Sequence, residues 1–169
     1  MKKTVLVLLL GIVLLAVFGT EANAQIPKEG TTSFTSGYSA AFKVLAMGQE
    51  HVQMTYEAMG ANITDTDEDI DHNTTFRCIG AMHAVNGDYT GNNSAFCVTT
   101  RPDGDQIFSI FKFAGKIGAM YKGTYTIVGG TGKLVGIRGG GESTGIPLRP
   151  AAEGTFQHIE RFKGQYKLP

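Results

Sequence analysis

Between Phe156 and Tyr166 the chain repeats with a period of two. In an extended strand this spacing puts Phe156, His158, Glu160, Phe162, Gly164 and Tyr166 on one face, and Gln157, Arg161, Lys163 and Gln165 on the other. The same alternation sets Ala119, Tyr121, Gly123, Tyr125 and Ile127 against Lys122, Thr124 and Thr126. It also sets Val52, Met54, Tyr56 and Ala58 against His51, Gln53, Thr55 and Glu57. Beyond the N-terminal apolar run, no long segment carries the 3.6-residue spacing of an amphipathic helix. Short β-branched and aromatic runs punctuated by glycine recur instead, which is an all-β pattern. Strands are expected over 42–47, 51–59, 75–85, 94–100, 107–113, 119–128, 134–137, 140–144 and 154–166. Eight or so antiparallel strands in one small domain imply a closed barrel or a sandwich.

The first residues read as an export signal: Lys2 and Lys3, an apolar run from Val5 to Phe18, and the small-residue cleavage site Ala22-Asn23-Ala24. The expected organisation is a signal peptide over 1–24 and one β-barrel or sandwich domain over 25–169, periplasmic or secreted, with no membrane partner after cleavage. Loss of residues 1–24 leaves 13 basic and 14 acidic residues among 145, a balance that disfavours a nucleic-acid partner held by a basic patch. Homo-oligomerisation is left open. Cys78 and Cys97 are the two cysteines. Strands on either side of the turn-rich run Asn86 to Asn93 would bring them nearly opposite each other. In an exported chain this pairing favours a disulfide; the alternative is two buried thiols behaving as small hydrophobes.

The stretch Thr126-Ile127-Val128-Gly129-Gly130-Thr131-Gly132-Lys133-Leu134-Val135-Gly136 has the look of a phosphate loop. A P-loop would need glycine at Ile127 and Ser or Thr at Leu134, and the dinucleotide fingerprint is one residue too long from Gly130. Glycines at 136, 139, 140 and 141 would break the helix that either motif requires. The stretch reads instead as a turn between strands, with Gly129, Gly130 and Gly132 allowing positive φ and the Thr131 hydroxyl bonding nearby backbone. From Tyr121 through Gly139, followed by Gly141 and Gly145, the sequence resembles the strand, glycine turn and returning strand of the allene oxide cyclase and dirigent barrels, and most of all their small bacterial relatives. That resemblance implies an eight-stranded antiparallel barrel enclosing a cavity for a small, often hydrophobic molecule. Plant members hold a reactive intermediate in a fixed pose for cyclisation or radical coupling. Their catalytic groups lie away from the matched turn, so the resemblance transfers no catalytic residue here.

Asp65-Thr66-Asp67-Glu68-Asp69-Ile70-Asp71 is the main acidic run, but neither EF-hand register finds its glycine and its final glutamate. It reads as a solvated acidic loop. His51, His72, His83 and His158 fall on separate elements without paired metal-ligand spacing, so no metal and no cofactor are expected. No G-x-S-x-G elbow occurs.

His158 and Glu160 are the sharpest chemical candidates, because they share a face with Phe156 and Phe162. In an apolar cavity burial would raise a carboxyl pKa and lower that of an imidazole, which suits general acid–base work. The competing reading places both near the barrel mouth, or makes them structural hydrogen-bond partners of Arg77, Arg138 or Arg161. Tyr56, Tyr121, Tyr125, Phe156 and Phe162 are the candidate ligand-binding residues, and they would serve equally well as core. Two functions therefore stand side by side. One is an exported barrel binding a small hydrophobic or aromatic molecule, with isomerase, cyclase or dirigent-like activity undecided. The other is a non-catalytic structural or interaction protein of the bacterial envelope, its barrel filled by its own side chains.

Overall fold

The computed structural model describes residues 26–64 and 66–169. The export signal expected over 1–24 lies outside the described residues, as does Asp65. Eight strands follow in order: β1 (Glu29–Ala46), β2 (His51–Thr64), β3 (Thr74–Val85), β4 (Asn93–Thr100), β5 (Gln106–Ala114), β6 (Tyr121–Gly130), β7 (Arg138–Pro147) and β8 (Thr155–Lys167). Each pairs antiparallel with the next, and β8 returns to pair with β1, closing the barrel. This is the architecture that the resemblance to allene oxide cyclase and dirigent barrels implies. Among the described residues, no helix is long and apolar enough to cross a membrane.

The period-two pattern sorts side chains between wall and interior. Along β6, Tyr121, Gly123, Tyr125 and Ile127 are buried while Lys122, Thr124 and Thr126 are exposed. Along β8, Glu160, Phe162 and Tyr166 are buried and alternate with exposed Ile159, Arg161, Lys163 and Gln165. β1 is far longer than the expected strand at 42–47. Its first half alternates small polar residues with a few aromatics, so Thr32, Phe34, Ser36 and Ala40 turn inward without a continuous apolar signal. Cys78 and Cys97 are direct cross-strand partners on β3 and β4, and they form a disulfide on the inner wall.

The up-and-down path puts the connections β2–β3, β4–β5 and β6–β7 at one end of the barrel, and β1–β2, β3–β4, β5–β6 and β7–β8 at the other. The first end is closed. The strand expected over 134–137 is replaced there by a 3₁₀ turn, Gly132–Leu134, and an irregular run to Ile137. Gly132 (φ 54°) and Gly136 (φ 82°) take the left-handed conformations that bend the chain, whereas Gly129 and Gly130 stay in β6 without positive φ. Leu134 ends the turn, and the Ile137 N–H donates back to Leu134 O at 3.0 Å. Both are fully buried, and with Ile70, Ile107 and Ile127 they fill the barrel end. Thr131 does bond backbone, its hydroxyl accepting from Gln106 N at 2.8 Å.

The acidic run is only partly the solvated loop expected. Thr66, Asp67 and Glu68 face water, but Ile70 is 1 % exposed and Asp71 6 % exposed. The apolar Ile70 draws its neighbours under the barrel, where an Arg101 N–H donates to Ile70 O. Asp69 accepts from the Thr32 hydroxyl (2.6 Å), Ser33 N (2.9 Å) and Asp71 N (3.0 Å). The same Thr32 oxygen lies 2.9 Å from Asp71 Oδ2. A hydroxyl has one hydrogen. With that hydrogen directed at Asp69, Asp71 completes the chain when its own proton is donated to Thr32. Burial pushes the Asp71 carboxyl up to about 7, with the neighbouring Asp69 charge adding to the rise and the Thr32 and Arg101 contacts opposing it.

Candidate functional site

Above the closed end the barrel interior holds a cavity of about 350 Å³. Its mouth lies among residues of the opposite end, Lys116 to Ala119 from the β5–β6 connection and Leu148, Pro150 and Thr155 around the β7–β8 connection. All five candidate ligand-binding residues, Tyr56, Tyr121, Tyr125, Phe156 and Phe162, line this cavity, as do His158 and Glu160. The size is that of a small-molecule site, apolar walls with a few converging polar groups.

Those polar groups gather across four strands. Glu160 on β8 is 2 % exposed. Its Oε1 accepts from the Ser143 hydroxyl of β7 at 2.5 Å, and its Oε2 from the Tyr121 hydroxyl of β6 at 2.9 Å and the Tyr38 hydroxyl of β1 at 3.3 Å. Tyr38 and Tyr121 stand 2.7 Å apart, oxygen to oxygen. His158 joins through Nδ1, which is 3.0 Å from the Tyr38 oxygen and 3.1 Å from that of Tyr121. No arginine takes part. Arg77 instead meets Glu57 on the outer wall at 2.5 Å, and Arg138 donates to Ile137 O, so hydroxyls stand where the competing reading had arginines.

Local sequence explains how this cluster is seated. Tyr38 pairs in register with His158 and Ser36 with Glu160, so the β1–β8 pairing delivers the tyrosine to the imidazole. Tyr121 pairs with Gly145, and a Cβ at that glycine would strike the Tyr121 ring. Glycine there leaves the space in which the ring lies across β7 to reach Glu160.

Burial sets the protonation. It lowers His158 to about 4, so the imidazole is neutral. Burial raises Glu160 above the ordinary carboxyl value, against the hydrogen bonds from Ser143, Tyr121 and Tyr38. Tyr38 and Tyr121 are pushed well above an ordinary phenol, by burial first and the Glu160 charge second, and both remain protonated. Tyr56 is also raised by burial, and its hydroxyl donates to Asn93 Oδ1 at 2.8 Å. The Tyr125 hydroxyl is buried without a hydrogen-bond partner among the described residues. Also among the described residues, no group of three or more His, Cys, Asp or Glu side chains is arranged to hold a metal ion.

Tyr38 and Ser143 are the members that sequence reasoning passed over. Tyr38 carried a usable signal, since it shares parity with Phe34, Ser36 and Ala40 once β1 is extended. Ser143 carried little, because its inward neighbours Gly141 and Gly145 have no side chains to mark a face.

No family model matches the chain, and no curated protein matches it. Among solved structures, the pterocarpan synthase dirigent protein is similar over 83 % of this chain and 87 % of its own, at 11 % identity and a TM-score of 0.42. The closed eight-stranded antiparallel barrel is the architecture that the resemblance in sequence implies.

Proposed function

We propose that this chain is an exported barrel that holds a small hydrophobic or aromatic molecule in its interior and presents His158 and Glu160 to it as an acid–base pair, in the manner of an isomerase, a cyclase or a dirigent protein. The observation that carries this reading is the company of the cavity. A space of about 350 Å³ walled by aromatic rings contains a neutral imidazole and a buried carboxyl joined by two tyrosines. A barrel serving only as a scaffold would gain more from filling that space with side chains than from burying a carboxyl there. Tyr56, Tyr121, Tyr125, Phe156 and Phe162 supply flat contact surface, and the unpartnered Tyr125 hydroxyl is a free donor for an acceptor on the ligand. The disulfide suits an oxidising compartment.

Thermal-shift screening against phenolic and fatty-acid libraries tests the reading. A ligand present at 100 times its dissociation constant adds about 2.7 kcal/mol of stability, so saturable upward shifts are expected. A filled or inert barrel in the bacterial envelope would give none across either library.

A further inference from the structure

We propose that Tyr38 and Tyr121 join His158 to Glu160 as one proton-transfer unit, and that its substrate is an uncharged ketone whose α-proton is taken up at His158 Nε2. The proposal rests on the cavity being a small-molecule site and assigns the chemistry performed there.

The geometry allows a head-to-tail chain in which every hydrogen is used once. His158 Nδ1–H donates to the Tyr38 oxygen (3.0 Å), Tyr38 donates to Tyr121 (2.7 Å), and Tyr121 donates to Glu160 Oε2 (2.9 Å). Ser143 holds Oε1 from the other side at 2.5 Å. In this direction Glu160 is ionised and Nε2, which takes no part in the network, has its lone pair available. The reverse direction is equally complete: protonated Glu160 donates to Tyr121, Tyr121 to Tyr38, and Tyr38 to Nδ1, which fixes the hydrogen of the imidazole on Nε2. The two arrangements differ by one proton, accepted at Nε2 and lodged on Glu160. The imidazole is neutral in both. That matters in an apolar interior, where a positive imidazolium is costly and a neutral carboxylic acid is not.

The step balances within the substrate and the relay. The α C–H bond breaks as an N–H bond forms at Nε2, and the C–H electron pair moves into the carbonyl π system to give an enolate. The Nδ1 proton passes to Tyr38, the Tyr38 proton to Tyr121, and the Tyr121 proton to Glu160. Return of a proton from Nε2 to carbon or oxygen reverses the shifts and completes an isomerisation, with no oxidant or reductant. The lining speaks against an anion, since it holds the carboxyls Asp71 and Glu160 and its one cationic side chain, Lys116, sits at the mouth, while the apolar walls make an uncharged substrate cheaper to bury than a cation.

The test uses 2-tetralone, a compact aryl-fused ketone with acidic α-hydrogens, incubated with the full barrel in D₂O. Deuterium uptake at the α-carbon is followed by NMR, and binding separately by thermal shift. The expected result is saturable binding and uptake accelerated over buffer by on the order of a hundredfold. His158→Gln should abolish the acceleration, while Tyr38→Phe and Tyr121→Phe should each remove at least about tenfold at saturating ketone with the dissociation constant unchanged. Glu160→Gln keeps a hydrogen-bonding side chain but removes the proton sink, and should behave like the tyrosine variants. Should one variant fail to fold, the remaining ones decide. Binding without acceleration overturns the proton-transfer unit and leaves the ligand-binding reading standing. Acceleration that survives both tyrosine substitutions overturns the relay. No binding of 2-tetralone, alongside hits from the phenolic or fatty-acid libraries, overturns the ketone assignment alone. No binding by anything overturns both readings.

Discussion

The two ends of the barrel are built from similar residues to opposite purposes. At the closed end Leu134, Ile137 and Ile70 are fully buried, and the loop between β2 and β3 is tied under the barrel through Asp69, Asp71 and Thr32. At the open end Leu148 and Ile117, which line the cavity mouth, are 44 and 52 % exposed. The buried carboxyls differ in the same sense. Asp71 faces another carboxylate across a single hydroxyl, whereas Glu160 faces three hydroxyls, two of which also reach the His158 imidazole. One carboxyl belongs to a seal and the other to a site, and it is the partners, not the burial, that separate them.

The largest effect that could break this contrast is a pair of identical truncations. Leu134→Ala should cost about 2–5 kcal/mol in urea denaturation, through lost burial and the void left behind. Leu148→Ala should stay within about 0.5 kcal/mol. Equal losses would erase the distinction between the ends.

The next effect sharpens the comparison of the carboxyls. Asp71 has its folded pKa raised to about 7, so between roughly pH 4 and 7 the native state binds the proton more tightly than the unfolded chain. Its contribution is whole below the unfolded value and is lost as pH rises through the folded one, a loss of up to about 4 kcal/mol. Asp71→Asn, whose amide can donate to Thr32 in place of the acid, should therefore be more stable than the parent at pH 8 and close to it at pH 4. Chemical denaturation at the two pH values reads the difference directly. Burial raises Glu160 as well, against its hydroxyl partners, so Glu160→Gln should shift the profile in the same direction. A Glu160→Gln profile identical to the parent's at both pH values would show that burial does not raise this carboxyl.

A smaller effect is expected at Gly145. Gly145→Ala should cost about 1–3 kcal/mol and displace Tyr121 from Glu160, so that ligand-induced stabilisation falls more than thermal stability does. An unaltered ligand response would show that the Tyr121 ring is not held by this glycine.

How much of this was legible in the chain depends on where apolar side chains mark a face. β6 and β8 could be read residue by residue, because tyrosine, phenylalanine and isoleucine alternate with lysine, threonine and arginine. That parity was enough to turn His158 and Glu160 inward together. β1 escaped over most of its length, since Thr32 and Ser36 face inward yet look like solvent residues, and the Tyr38 arm of the site went with it. The closed end was misread for a related reason. Leu134 and Ile137 are buried by a tight coil, not by strand alternation, and Asp69 and Asp71 are paired by contacts with Thr32 and Ser33, far away in sequence. Spacing along the chain carries no trace of such partners.

The path of the chain around the barrel bears on how the site comes into being. Every strand except one pairing lies beside its neighbour in sequence, so hairpins can assemble from short loops, while the β1–β8 seam joins segments more than a hundred residues apart. Loop-closure entropy makes that seam the slow, late pairing. Tyr38 stands on one side of it, His158 and Glu160 on the other. The proposed chemistry is thus split across the last joint to form, and a chain that has not closed this seam lacks the arrangement it needs.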